Sequence, residues 1–299
     1  MAPRVTVLMT AYNTAAYIKE TIDSILQQTF TDFTLLVIND GSTDATADIV
    51  KSYSDPRLQL VDNKENTGLT AVLNIGLKLA TGDYIARMDS DDIAAPHRLE
   101  TQVRFMDSNP EVGIVGSWYQ RFDNNNSYGK ILTTPPEVGV LDLLSGSKIG
   151  HPTAMFRRSV FEKYGIEYES AYPHAEDYAL WFQAIKVTKL ANIQEVLLFH
   201  RCHSQNVSAV HQNIQSESAG RIREGISSFL TSDAALAKLL SRGKKKAWIK
   251  LFGIVPVLSI RARGVSKRHY DLFGFLPLLS VRGSKVYLFR VIPVATVAC

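Results

Sequence analysis

Three carboxylates fall within four residues at Asp89-Ser90-Asp91-Asp92, directly after the strand-like run at 84–88. Carboxylates this close repel one another unless something positive sits among them. Oxygen donors of this kind suit Mg2+ or Mn2+, which proteins commonly share between one or two carboxylates and substrate phosphates. A solvated acidic turn ahead of the helix after Pro96 would have the same composition. A second polar cluster, Asn39-Asp40-Gly41-Ser42-Thr43-Asp44, also ends a strand-like run. An aspartate there can accept a hydrogen bond from a nucleobase N–H, or it can build a turn and cap a helix. Tyr12-Asn13 can stack on and hydrogen-bond a base, or form ordinary loop. Glu176-Asp177 precede the apolar Tyr178-Ala179-Leu180-Trp181-Phe182. Carboxylates in that position cap helices, or serve as a general base at the mouth of a pocket. His151, His174, His200 and His203 lie in the same third of the chain, where each reads more simply as structural. No zinc-type Cys/His spacing, Gly-x-x-x-x-Gly-Lys loop or Gly-x-Gly-x-x-Gly turn occurs, which argues against a P-loop NTPase and a dinucleotide dehydrogenase.

These residues need elements to carry them. Short β-branched or aromatic runs at 5–10, 34–39, 58–62 and 84–88 predict strands. Helical spacing predicts a helix over 15–28. Another is predicted over 43–53, with Ser42 or Thr43 as N-cap and Asp44 complementing its dipole. A third, over 70–80, is predicted to close at a Thr81-Gly82 C-cap. Further on, the pattern predicts helices at 96–108, 135–145, 156–164 and 178–187 and strands at 112–122, 129–132 and 190–200. Strand–helix alternation with short loops implies a largely parallel sheet covered by helices. Such sheets bind ligands beyond the carboxyl ends of their strands. That rule gathers Tyr12-Asn13, Asp40-Gly41 and Asp89–Asp92 into one cluster.

The 299 residues are 45% hydrophobic, enough to build a core and to exclude a disordered tail protein. Two cysteines, Cys202 and Cys299, exclude a disulfide scaffold and suit a reducing compartment. Charge divides the chain. Residues 1–211 hold 18 Lys and Arg against 25 Asp and Glu, whereas residues 212–299 hold 15 against 4. The basic part contains Leu-Phe-Gly-x-x-Pro copies at 251–256 and 272–277, with a degenerate third near 288–293. Three parts are therefore expected: a catalytic domain at 1–211, a basic helical segment at 212–250 and a repeat region at 251–299 that either docks on an anionic membrane surface, the reading the charge favours, or packs on the catalytic domain.

In this order, VTVLMTAYN, SILQQTF, VINDGSTD, NTGLTAVLNIGL, TGDYIARMDSDDIAAPHRLE, HPTAMFRR and AEDYALWF resemble a family two glycosyltransferase of the GT-A fold. Proteins of this kind serve bacterial cell-surface polysaccharide or lipopolysaccharide synthesis. The resemblance covers about residues 4–210 and implies an α/β fold: a Rossmann-like mixed sheet flanked by helices, here with a basic C-terminal extension. It implies inverting transfer of a hexosyl or N-acetylhexosaminyl group from a nucleotide-sugar, UDP-linked, to a glycan or lipid-linked acceptor. By the same resemblance Ala11, Tyr12, Asn13 and Asp40 line the nucleobase site, and Asn66, Gly68 and Asn74 shape the loop and helix beside the nucleoside. Ser90 lies in the donor-binding turn. Asp89 and Asp91 form the Asp-x-Asp motif that holds Mn2+ or Mg2+, with His203 of an Arg201-x-His203 pattern approaching the metal. Asp177 is the implied catalytic base and Glu176 its neighbour.

The chain departs from the family pattern in two places. Asn39 replaces the first acid of the usual Asp-Asp-Gly-Ser run. The stretch 70–74 lacks the usual cation, leaving Arg87 and Lys64 as candidates to supply charge. A sugar-nucleotide nucleotidyltransferase is the nearest alternative, but the Gly-rich basic loop expected after its first strand is missing from 10–16. A nucleic-acid-binding module is a poorer fit, because the catalytic part is acidic, and no nucleic-acid partner is expected. The start of the chain reads as a buried strand rather than a signal peptide, and no apolar run reaches membrane-spanning length. The expected location is cytoplasmic, peripheral on the inner membrane.

Overall fold

The computed structural model describes residues 2–125, 127–203 and 210–230, together with the backbone of short strands at 268–269, 279–282 and 285–288. The chain divides into two units, Met1–Arg223 and Glu224–Cys299. The first unit contains a ten-stranded mixed sheet in the order β3-β2-β1-β4-β9-β6-β10-β5, with β7 paired to β6 and β8 to β10. Its first four strands are β1 (Val5–Ala11), β2 (Phe33–Asp40), β3 (Leu58–Asn63) and β4 (Tyr84–Asp89). They run parallel, with β1 between β2 and β4. All seven residues of β1 are buried, as expected for a strand covered on both faces. Helix α1 (Ile18–Leu26) buries Ile18, Thr21, Ile22 and Ile25, spaced three or four apart, against this sheet. Helices α2 (Thr46–Lys51) and α3 (Leu69–Leu79) complete the first half.

Register sets the site. Thr10 pairs with Asp89, Ala11 with Asn39 and Asp40 with Asn63, so the carboxyl ends of four strands finish at one edge. Beyond β4 the chain makes the acidic turn, the two-residue β5 (Ile93–Ala94) and α4 (Arg98–Ser108). The second half supplies β6 (Val112–Asp123), β7 (Tyr128–Leu132), β8 (Glu137–Val138), β9 (Met155–Arg157), α5 (Arg158–Tyr164), α6 (Glu176–Ala184) and β10 (Lys189–Cys202). β9 runs antiparallel between β4 and β6, while β10 is parallel to β6. Helix α7 (Gln212–Leu230) follows. Its side chains Gln215, Ser218 and Arg221 donate to the carbonyls of His174, Pro173 and Ala171, tying it to the loop before α6.

Several sequence expectations need correction. Helix α2 begins at Thr46 without a Ser42 or Thr43 cap; Asp44 does the work, accepting from the Thr46 N–H at 2.9 Å. Gly82 is no C-cap, since α3 ends at Leu79 with Ala80 in extended conformation. It sits where a Cβ would lie 2.5 Å from the Thr6 nitrogen, so a close approach to β1 explains the glycine. Residues 135–145 form β8 and a 3-10 turn (Asp142–Ser145) rather than one helix. The run from 156 splits between β9 and α5, and α6 begins two residues before the predicted 178. In the second unit, β11 (Arg268–His269), β12 (Leu279–Arg282) and β13 (Lys285–Leu288) form an antiparallel sheet. Most of the repeat region and the basic stretch 231–250 lie outside the described residues. No helix among the described residues is long and apolar enough to cross a membrane.

Candidate active site

Asp89 ends β4, and Arg87, two residues earlier on the same strand face, is only 2% exposed. The Arg87 guanidinium pairs with the Asp89 carboxylate, while its Nε has no hydrogen-bond partner. Beneath it, Arg98 is also fully buried and donates to the Arg87 carbonyl at 2.7 Å. Burial lowers the Arg98 guanidinium to about 9.

The end of β10 clamps the acidic turn from the other side. His203 Nε2 lies 2.9 Å from Asp91 Oδ2, and its ring stacks on Tyr17 at 4.9 Å. Arg201 Nε donates to the Asp91 carbonyl at 2.9 Å and its Nη2 to Glu20 at 2.5 Å. The wholly buried Asp92 takes His200 Nδ1 at 3.1 Å and the Arg201 N–H at 2.9 Å. Burial, then Asp92 and Asp89, push Asp91 up to about 6. Burial lowers the His200 imidazole, but Asp92, Asp89 and Asp91 outweigh it and raise it to about 9, while burial raises Asp92.

Oxygen atoms of Asp89, Asp91 and Asp92 all lie within 4.8 Å of one another. The donor chemistry fits a hard divalent cation: clustered carboxylate oxygens, with Asp89 and Asp91 reaching solvent. Asp92, wholly buried, already has its oxygens engaged by His200 and the Arg201 N–H. Asp89 and Asp91 are thus the two acids able to share a cation.

On the β2 side, Asp40 is buried. Its Oδ1 accepts from the Thr67 N–H and hydroxyl and its Oδ2 from the Gly68 N–H, each at 2.9 Å. Gly41, at φ 68°, lets this loop pass where a Cβ would meet the Glu65 backbone at 2.5 Å. Gly68 starts α3 at φ 90°, and Asn66 and Lys64 lie exposed on the loop. Asn13, at φ 52°, accepts from the Thr43 N–H at 2.8 Å, and its neighbour Tyr12 is 48% exposed. Ala11 and Ser90 are buried in their backbone positions. Asn74 exchanges two hydrogen bonds with the Tyr168 backbone, at 2.8 and 2.9 Å, so its amide pins the 165–170 loop to α3.

Glu176 and Asp177 occupy the first turn of α6, where the helix dipole favours negative charge. They face different spaces. Asp177 lines a cavity of about 420 Å³ with Tyr119, Thr134, Ser147, His151 and His200. Glu176 lines a cleft of about 730 Å³ with Gly68, Thr70, Asn74, Tyr168 and His174. Desolvation pushes Asp177 up to about 6, opposed by the Tyr178 N–H and by Arg87. Burial, then Asp177, push Glu176 up to about 7. Arg87 also acts on His151, which burial keeps neutral and which lies 2.8 Å from the Tyr168 hydroxyl. One buried cation therefore serves Asp89, Glu176 and Asp177. Through Arg87 the acidic turn is linked to Glu176 and Asp177, with one space lined by each of these two acids. The sequence signalled Arg87 only as a spare cation, and nothing in it marked Asp92 as the partner of His200.

The sequence profile of the family described as "Glycosyl transferase family 2" matches residues 6–165. The chain belongs to this family. It is a glycosyltransferase. An "Uncharacterized glycosyltransferase" of Haemophilus influenzae is 35% identical over 249 residues, covering 76% of this chain and 75% of the relative. The Escherichia coli "UDP-Glc:alpha-D-GlcNAc-diphosphoundecaprenol beta-1,3-glucosyltransferase WfgD" is 33% identical over 189 residues, 63% of this chain and 72% of that protein. Among solved structures, S. aureus TarS 1-349 in complex with UDP-GlcNAc superposes with a TM-score of 0.64 at 21% identity, covering 77% of this chain and 67% of that one. That likeness shows the GT-A type of fold expected of a family two glycosyltransferase.

Proposed function

We propose that the chain moves a sugar from a UDP-linked donor to a hydroxyl of a glycan or lipid-linked acceptor in one inverting displacement. The observation that carries this reading is the placement of Asp177 and the Asp89–Asp91 turn around the buried Arg87, with separate spaces on the two sides of α6's first turn. WfgD, named for a UDP-glucose donor and a diphosphoundecaprenol-linked acceptor, and the UDP-GlcNAc complex of TarS support the choice of donor and acceptor class.

Tyr12 and Asn13 border the nucleobase, and Asp40 with its Thr67–Gly68 loop fixes that wall. Asn66, Gly68 and Asn74 shape the cleft beside the nucleoside. Asp89 and Asp91, with His203 against Asp91, would hold a Mg2+ or Mn2+ ion, which offsets charge on a departing diphosphate. Asp177 takes the proton of the attacking acceptor hydroxyl, and a carboxylate raised to about 6 is well matched to that task near neutral pH. Glu176, at about 7, keeps a proton through part of the neutral range and can donate to an oxygen in the donor cleft. Arg87 limits the rise of both.

Purified protein offered a panel of nucleotide sugars with Mn2+ should release UDP from at least one UDP-sugar. Asp91→Ala should abolish that release. Turnover unchanged in excess EDTA would remove the metal from the account, and turnover only with non-uridine donors would remove the UDP assignment.

A further inference from the structure

One buried titratable pair is left unused by the function above. His151 opens the HPTAMFRR stretch, and its Nε2 lies 2.8 Å from the Tyr168 hydroxyl. Tyr168 is 2% exposed, and its backbone is held by both hydrogen bonds of Asn74. Its hydroxyl forms no other hydrogen bond among the described residues. The His151 ring is framed by Tyr168 at 5.5 Å and edge-on by Trp181 at 6.1 Å. Its backbone begins a 3-10 turn, His151–Thr153, where the buried Thr153 hydroxyl donates to the Gly150 carbonyl at 2.7 Å. A Cβ on Gly150 would lie 2.9 Å from the Tyr119 ring, so the preceding loop is packed closely as well. Little about this imidazole is free to turn.

The pairing fixes the tautomer. Burial, then Arg87, hold His151 well below the usual histidine range, so the ring is neutral and carries one N–H. Burial pushes the Tyr168 phenol up, so it keeps its proton. A phenol O–H shut away from water needs an acceptor, and Nε2 is the one it has. A ring proton on Nε2 would leave the phenol hydrogen without a partner, the costlier arrangement. The proton therefore sits on Nδ1. That atom forms no hydrogen bond among the described residues, and the ring lines the cavity of Asp177. Tyr119, Lys148 and His200 are the other ionisable groups on this wall, Arg87 acts on both His151 and Asp177, and Glu176 lines the other space. One cavity thus offers a carboxylate oxygen that accepts and a neutral N–H that donates. A sugar hydroxyl and the oxygen on its neighbouring carbon match that pair of groups.

We propose that His151, held as the Nδ1–H tautomer by Tyr168, determines acceptor specificity: it donates to the oxygen beside the attacking hydroxyl, while that hydroxyl gives its proton to Asp177. The proposal rests on reading the Asp177 cavity as the acceptor side. It makes the acceptor a sugar with two adjacent oxygen functions, a vicinal diol or a hydroxyl beside an acetamido group. His151 moves no proton itself; it decides which hydroxyl meets the base.

The first readout needs no substrate. The full chain, saturated with UDP and Mg2+, is labelled with 15N in its histidine rings, and the His151 signals are assigned by their loss in His151→Gln. Their 1H–15N coupling pattern should be that of Nδ1–H at neutral pH, and Tyr168→Phe should bring in the Nε2–H form. A parent ring protonated on Nε2, or on both nitrogens, overturns the proposal. The second readout adds the methyl glycosides of N-acetylglucosamine, glucose and galactose, with cyclohexanol as the control that has a hydroxyl and no neighbouring oxygen. The Nδ1 signal should shift saturably with at least one glycoside and not with cyclohexanol. His151→Phe should weaken that glycoside about tenfold, the scale of one hydrogen bond, with UDP affinity retained. His151→Gln, whose amide can accept from Tyr168 and still donate, should recover most of the loss. No shift with any glycoside, an equal shift with cyclohexanol, or unchanged affinity in His151→Phe overturns the proposal. Should His151→Phe lose UDP binding, Tyr168→Phe decides: a several-fold loss of glycoside affinity supports the proposal and no loss overturns it. Transfer that persists in Asp177→Asn overturns the base reading, whereas the outcomes above overturn the role of His151 alone.

Discussion

At the scale of single residues, the charges of the site are set by burial and by one cation. Asp177 is lifted to about 6, and as the proposed base it would work only when ionised. Turnover should therefore rise with pH through an acid limb near 6 and level off above it. Asp177→Asn should lower turnover by about 10²–10⁴ and erase that limb, which a pH–rate profile of UDP release checks. Arg87 favours the ionised form of Asp177, so removing it has a definite sign. Arg87→Met should move the acid limb to higher pH, while Arg87→Lys should restore part of the shift. A limb that stays in place would separate Arg87 from the base. Arg87→Met should also lower folding stability, since removing one partner of a buried ion pair leaves Asp89, Glu176 and Asp177 without their shared cation; a urea melt measures this.

At the scale of elements, the strands carrying the site were legible and the turns were not. The runs of β1, β2 and β4 stand out because buried parallel strands need continuous apolar side chains, whereas the edge strand β3 alternates at Leu58, Gln59 and Leu60 and has no buried residue. The rule about strand carboxyl ends was then enough to gather Tyr12, Asp40 and Asp89. Gly82 was misread because a glycine after a helical run has the same local signature for a cap and for a close approach. Only the β1 backbone beside it tells them apart. The Asp92–His200 pair could not be seen at all, since it depends on β5 and the long β10 meeting across 108 residues. Gly82→Ala should destabilise the fold by about 1–3 kcal/mol, the range for overpacking against a neighbour that cannot yield. Gly165→Ala meets no atom within 4 Å but sits at φ 61°, and should cost about 1–2 kcal/mol through backbone strain alone. Chemical denaturation of the two variants distinguishes a steric from a conformational cause; equal stability with the parent would refute both assignments.

At the scale of the whole molecule, the uneven charge asks for a partner. From residue 234 onward the sequence holds 13 Lys and Arg against Asp271 alone, with Leu-Phe-Gly repeats between them. Each basic residue near an anionic leaflet contributes on the order of 1 kcal/mol, so several together would keep the enzyme beside a lipid-linked acceptor. The full chain should co-sediment with phosphatidylserine vesicles at low salt and dissociate as salt rises. Lys244→Glu, Lys245→Glu and Lys246→Glu together should weaken that association; a chain that stays in the supernatant with anionic vesicles would contradict membrane docking.

The linkage of the product tests the central claim, a single displacement assisted by Asp177, most directly. With an α-linked UDP-sugar as donor, the anomeric proton of the transferred sugar should report a β-linkage by NMR, and the same product should be lost in Asp177→Asn. An α-linked product from the parent enzyme would contradict the account, because one attack from the face opposite the leaving diphosphate cannot retain configuration.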